Sequence, residues 1–169
     1  MIINGFPKSG QNALRRACEL LGVELPINHI PYAQNPGGPC IYIKRDPRNV
    51  ILSMIHFRQL PVTVANFKAM VAKFNTDTIA NEFASYYGWL TDANTTVITY
   101  EDLIANDTCM KSLATTLGVT YPTNAFASLE GPTFTFNQVH SDYTTIMTPA
   151  VITWWQSVNG PVLVTAWGY

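Results

Sequence analysis

The chain has 169 residues, 47% of them hydrophobic, so it is long enough to bury most of its unfolded surface in a core. Its net charge is −1, and it has no basic stripe with interleaved aromatic residues, which excludes a general nucleic-acid-binding surface. Charged residues make up only 12% of the chain, so any anion must be recognised by a few local groups.

Composition and cysteine spacing also predict the setting of the protein. From its length we expect one domain over residues 1–169. We expect the protein in the cytoplasm, because the chain begins directly with a core strand that leaves no room for a signal peptide. No uncharged stretch is long enough to span a bilayer. Cys18, Cys40 and Cys109 are widely spaced and unclustered, which favours a reducing compartment and predicts no metal site.

The first predicted elements are a short apolar strand at Ile2 and Ile3, a loop that begins at Gly5, and a helix. This order is typical of a phosphate-binding loop, in which backbone N–H groups and a helix N-terminus point at an anion. The backbone amides from Ser9 through Asn12 are the candidate donors. Read alone, the segment is equally compatible with an ordinary strand-to-helix turn.

The loop departs from an ATP-binding loop in an informative way. Gly5 and Gly10 have the Walker separation, but Gln11 and Asn12 replace the lysine and the hydroxyl residue that should follow. Lys8 supplies the cation from inside the loop instead. A phosphate-binding loop without a magnesium ligand predicts group transfer that does not use ATP and Mg²⁺.

Strands and helices alternate along the chain, which predicts an α/β fold of three layers with a small, mostly parallel central sheet flanked by helices. Further strands are predicted at Ile41–Lys44 and Thr95–Thr99. The predicted helices are Gln11–Leu21, Pro47–Phe57, Val62–Phe74, Thr78–Leu90 and Cys109–Leu117. The run Val162–Thr165 favours a strand by propensity.

A second polar group follows the strand at Ile41–Lys44. Asp46 is a natural N-cap and Pro47 a natural first helical residue, so a helix begins here. Arg45 ends the strand and Ser53 lies in the helix, in the region where open α/β sheets bind ligands. A guanidinium there can make a charge-assisted contact with a phosphate, although either residue alone reads as ordinary surface or filler.

Two further residues are candidates for chemistry. His29 lies in an extended segment before Pro31, and an imidazole can accept a proton near neutral pH. The alternative is a histidine that is simply satisfied by a backbone carbonyl. Tyr100 ends the β-branched run, where it either faces a planar ligand or packs at the edge of the core.

These motifs resemble, in the same order, those of the sulfotransferases that use 3′-phosphoadenosine 5′-phosphosulfate (PAPS). The resemblance covers most of residues 1–105 and implies a P-loop-like fold. The matching segments are Pro7-Lys8-Ser9-Gly10, Asn28-His29-Ile30-Pro31, Arg45 to Ser53, and Tyr100-Glu101-Asp102-Leu103.

The resemblance also implies a role for each residue. His29 would remove the acceptor's proton, and Lys8 would stabilise the leaving phosphate. Arg45 and Ser53 would hold the 3′-phosphate, and Tyr100 would lie near the adenine. The 5′-phosphosulfate would be bound by Lys8, Ser9, Gly10, Gln11 and Asn12.

The C-terminal third matches the family less well. The segment Phe136–Tyr143 stands where the family has a lid over the nucleotide, but it lacks the lid's arginine, lysine and both glycines. The chain end, Trp167-Gly168-Tyr169, still resembles the family's ending, so the resemblance favours a helix where propensity favours a strand.

We therefore interpret the chain as an enzyme that moves a sulfuryl group from PAPS to a hydroxyl or amine, releasing PAP. The expected acceptor is a small molecule, a lipid or a glycan. One alternative is a non-catalytic module that binds PAP or PAPS, which the degenerate lid favours. A small P-loop kinase is disfavoured by Gln11 and Asn12.

Overall fold

The structure is a computed structural model that describes residues 1–72, 79–129, 143–158 and 160–169. Its strands are β1 (Ile2–Gly5), β2 (Cys40–Lys44) and β3 (Thr95–Thr99), and a short 3₁₀ helix covers Tyr32–Gln34. Its α-helices are α1 (Gln11–Leu20), α2 (Pro47–Phe57), α3 (Val64–Ala72), α4 (Ile79–Ala84), α5 (Gly88–Thr91), α6 (Tyr100–Ala105), α7 (Asp107–Leu117), α8 (Ala125–Leu129), α9 (Tyr143–Ile146), α10 (Pro149–Ser157) and α11 (Gly160–Ala166).

The three strands form a parallel sheet in the order β1-β2-β3. Ile41 of β2 pairs with Ile3 of β1 on one side and with Thr96 of β3 on the other. The carboxyl ends of the three strands therefore meet at one edge of the sheet. This arrangement confirms the predicted α/β class with a small parallel sheet flanked by helices.

The described residues within Met1–Arg45 and Gly88–Gln138 form one compact unit around the sheet. Helices α1, α7 and α8 contact one another, and their apolar side chains meet those of the strands in one core. That core is completed by residues such as Ile3, Leu14, Ile43 and Met110, each fully buried. This unit includes the loop between β1 and α1.

The described residues within Asp46–Tyr87 and Val139–Tyr169 form a second compact unit, which is helical. Aromatic pairs contribute to its packing. The rings of Phe83 and Trp167 meet edge to face at 5.2 Å, and those of Phe67 and Trp154 do so at 6.2 Å. The prediction of a single domain over residues 1–169 stays a prediction.

Two predicted elements differ from the observed ones. The helix predicted over Thr78–Leu90 is wrong in extent, because a turn at residues 85–87 separates α4 from α5. The break lets Trp89 point into the core, where its indole N–H donates to the carbonyl of Ile30 at 3.0 Å. At the chain end, Val162–Thr165 lies in α11, so the strand favoured by propensity is wrong and the helix implied by resemblance is confirmed.

Of the helices in the part of the chain that the structure describes, none is long and apolar enough to cross a bilayer. The described side chains also include no cluster of three or more histidine, cysteine or acidic residues that would hold a metal ion.

We predict that the three cysteine thiols react slowly while the protein is folded. Burial raises the pKa of each of them, Cys18, Cys40 and Cys109, to about 11, and none is in a disulfide. Only the thiolate reacts, so at pH 8 roughly one thiol in a thousand is reactive. Labelling with a thiol reagent at pH 8 should be at least about tenfold slower in buffer than in urea. Rapid labelling of Cys18 or Cys40 in buffer would contradict the burial described here.

Candidate active site

The loop between β1 and α1 forms a tight cradle. Gly10 is the N-cap of α1 and has a left-handed backbone with φ of 107°. A Cβ at this position would lie 2.3 Å from Cδ2 of Tyr100, so only glycine fits. The first N–H groups of α1 have no partner within the helix, and they are available to an anion here.

Two side chains in the loop have unusual environments. Lys8 has φ of 70°, a left-handed conformation that is strained for a residue with a Cβ. Partial burial lowers the pKa of its amine, because the charged form loses hydration there. The hydroxyl of Ser9 is buried, with 1% of the residue exposed, and it has no hydrogen-bond partner among the described residues.

Arg45 links the end of β2 to this loop. Its guanidinium is buried, with 6% of the residue exposed, and Nη1 donates to the carbonyl of Lys8 at 3.4 Å. The same guanidinium lies 4.2 Å from the ring centre of Tyr100, a cation–π contact. Burial raises the pKa of the Tyr100 phenol, and the adjacent Arg45 charge partly offsets that rise. Arg45, Tyr100 and Gly10 therefore form one packed stack beside the cradle.

His29 is exposed and lies beside the first turn of α1. Its Nδ1 is 3.0 Å from Nε2 of Gln11 and 3.4 Å from the carbonyl oxygen of Gly5. The Gln11 amide also donates to the carbonyl of Phe6 at 2.7 Å. The structure thus brings His29 and Gln11 together at the start of the loop.

A buried asparagine fixes the segment that carries His29. Asn4, fully buried in β1, donates from Nδ2 to the carbonyl of Ile30 at 3.0 Å and accepts from the Ile30 N–H at 3.1 Å. Ile27 also bridges to Ile3, and Trp89 donates to the same Ile30 carbonyl. Sequence reasoning missed Asn4 as a positioning residue. The available signal was a polar residue inside an apolar strand, directly before the loop.

Other predicted site residues lie outside this group. Asn12 is exposed in the first turn of α1. Ser53 is half-buried in α2, in the second unit. Of the lid segment Phe136–Tyr143, residues 136–142 lie outside the described residues, and Tyr143 begins α9.

Arg48 contacts two other residues of the second unit, Asp46 and Tyr143. Asp46 caps α2 by accepting from the Arg48 N–H at 2.9 Å, as predicted, and it also accepts from Nε of the Arg48 side chain at 2.9 Å. The Arg48 guanidinium lies 3.5 Å from the ring centre of Tyr143. Both residues line a mostly apolar cavity of about 470 Å³ with Met147 and Trp155.

The loop has the properties that a phosphate group requires. The Ser9 hydroxyl, which has no partner among the described residues, offers a buried donor, and Gly10 lets the Tyr100 ring approach the start of α1 closely. Lys8 and Arg45 place two cations at the same loop. The loop therefore offers donors and positive charge of the kind that an anion requires.

A scan against protein-family models gives no match, and no curated protein matches the chain. Comparison with solved structures shows that the chain has the sulfotransferase fold, an α/β fold built on a P-loop-like strand and helix. One such structure is mouse sulfotransferase SULT7A1 complexed with PAP. The TM-score is 0.71 at 17% sequence identity, over 98% of this chain and 86% of the mouse chain.

Proposed function

We propose that this protein is a PAPS-dependent sulfotransferase that acts on a hydroxyl or amine of a small-molecule, lipid or glycan acceptor. The observation that carries the proposal is the buried Ser9 hydroxyl just before α1, which has no hydrogen-bond partner among the described residues. Ser9 follows Lys8, whose carbonyl accepts from the Arg45 guanidinium. The sulfotransferase fold, and the PAP in the mouse structure, support the choice of nucleotide.

The residues of the site would have the following roles. Ser9 and the backbone amides from Gly10 to Asn12 hold the 5′ group, which replaces the missing partner of the Ser9 hydroxyl. The Lys8 amine stabilises negative charge as it develops on the oxygen of the leaving phosphate. Arg45, with Ser53 by motif resemblance, binds the 3′-phosphate.

PAPS, when bound, supplies the sulfuryl group and departs as PAP. His29 removes the proton of the attacking hydroxyl or amine, so that the new oxygen–sulfur or nitrogen–sulfur bond forms without a proton left on the attacking atom. The segment around His29 is held by Asn4 and Trp89, which keeps the imidazole at a fixed place beside the loop. Tyr100 supports Arg45 through its ring face, in addition to the proposed place near the adenine.

A second candidate function is a module that binds PAP or PAPS without turnover. The segment Phe136–Tyr143, which lacks the cations of the family's lid, favours it. This candidate shares every nucleotide contact with the enzyme and differs only in the transfer step.

The nucleotide is tested by thermal unfolding. PAP at about 100 times its Kd should stabilise the protein by about 2.7 kcal/mol, which corresponds to a rise in Tm of roughly 5–10 °C. ADP, which lacks the 3′-phosphate, should give a much smaller rise, and Arg45→Ala should remove the difference between PAP and ADP.

The transfer step is tested separately with radiolabelled PAPS and a panel of phenols, alcohols, amines and glycans. Label transfer that is lost in His29→Asn supports the enzyme. A PAP-dependent rise in Tm without label transfer supports the binding module. A larger rise with ATP and Mg²⁺ than with PAP would contradict both and favour a kinase.

A further inference from the structure

We infer that Gln11 is a positioning residue for His29: its side-chain amide donates to Nδ1 of the imidazole and holds the proton of the neutral ring on Nε2. This inference rests on the proposed function only in taking His29 as the residue that receives the acceptor's proton. It gives the Gln11 side chain a role other than phosphate binding.

The orientation of the Gln11 amide follows from its other partner. The atom nearest the Phe6 carbonyl, at 2.7 Å, has to be the amide nitrogen, because two carbonyl oxygens would repel each other at that distance. The same nitrogen lies 3.0 Å from Nδ1 of His29. One N–H of the amide therefore points to Phe6 and the other to His29.

The tautomer of His29 follows from the orientation of Gln11. A nitrogen that receives an N–H cannot carry a proton of its own along the same line, so Nδ1 is the acceptor and Nε2 carries the proton. The competing partner of Nδ1, the Gly5 carbonyl, is at 3.4 Å, at the outer limit for a hydrogen bond. The shorter contact decides the tautomer in favour of Gln11.

This tautomer restrains the proposed base. With the proton on Nε2, the neutral ring donates from that atom and has its lone pair at Nδ1, already engaged by Gln11. His29 can accept the acceptor's proton at Nε2 only after Nε2 releases its own proton to solvent and Nδ1 takes one from solvent. The Nδ1–H group then donates to the Gly5 carbonyl, and the hydrogen bond from Gln11 breaks. Gln11 thus holds His29 in a resting state in which it is a donor.

The direct test is NMR on the ¹⁵N-labelled, nucleotide-free protein at about pH 8.5, where unperturbed histidines are neutral. An N–H···N hydrogen bond transmits a nitrogen–nitrogen coupling, so a cross-peak should join the Gln11 side-chain amide to Nδ1 of His29. The chain has three histidines, and the His29→Asn variant identifies the signals of His29.

Gln11→Met keeps the length of the side chain and removes the donor. It should abolish the cross-peak and move the Nδ1 resonance of His29 toward the protonated position, because the Gly5 carbonyl is then its nearest acceptor. Asn12→Met is the matched control, since it removes an exposed amide one residue away and should leave both signals of His29 unchanged.

A proton on Nδ1 of His29 in the wild-type protein would overturn the inference, as would an absent cross-peak or a Gln11→Met spectrum identical to wild type. The experiment uses neither PAPS nor an acceptor. Its failure is therefore distinguishable from failure of the proposed function, which would appear as missing PAP binding or missing label transfer.

Discussion

Replacing Lys8 with alanine should lower the rate of sulfuryl transfer at saturating PAPS by about 100- to 1000-fold, the loss typical of removing one group that stabilises transition-state charge. The reason is that Lys8 supplies a cation from within the loop, and under the proposed function this charge faces the leaving phosphate. The measurement is single-turnover transfer of label from PAPS to the best acceptor found on the panel.

The variant Lys8→Gly distinguishes the effect of losing the charge from the effect of backbone strain. It removes the same amine but also relieves the left-handed strain at φ of 70°, which alanine keeps. We expect equal losses of transfer in the two variants, with Lys8→Gly more stable to urea than Lys8→Ala by about 1 kcal/mol. Unchanged transfer in either variant would contradict the role of Lys8, and equal stabilities would contradict the strain.

Gly10→Ala should destabilise the protein by about 3 kcal/mol or more and abolish the PAP-dependent rise in Tm. Two effects add here. The backbone is left-handed, and the new Cβ would lie 2.3 Å from the Tyr100 ring that supports Arg45. The measurements are urea unfolding and the Tm with and without PAP.

Gly22→Ala is the matched control for Gly10→Ala. Gly22 is also left-handed, with φ of 79°, but a Cβ there would meet nothing within 4 Å. Its substitution should cost only the backbone term, about 1–2 kcal/mol, and leave PAP binding intact. Equal losses of stability in the two variants would contradict the close approach of the Tyr100 ring to Gly10.

Local signals in the sequence predicted much of the fold. Helix α2 begins and ends where it was expected, because Asp46 and Pro47 define its start through contacts within two residues. The phosphate-type loop was recognisable for the same reason, since its glycines and its strand-to-helix order are local features. The parallel sheet followed from the alternation of strands and helices.

Features that depend on distant partners could not be predicted. The sequence indicates an amide at Gln11, but only the fold shows that this amide faces Phe6 and His29. Similarly, the helix predicted through Leu90 ends early, and Trp89 beyond the break donates a hydrogen bond to the Ile30 carbonyl, 59 residues away along the chain. The roles of Lys8 and Arg45 in catalysis and binding stay predictions.

The segment before His29 has a second consequence beyond chemistry. Within the described residues, β1 is an outer strand of the sheet, and residues around Ile27 pair with it through the Ile3 N–H to the Pro26 carbonyl and the Asn28 N–H to the Ile3 carbonyl. Unpaired outer strands can pair with strands of other chains and so cause aggregation. A variant that detaches this segment, such as Asn4→Ala, should therefore aggregate as well as lose the imidazole's placement.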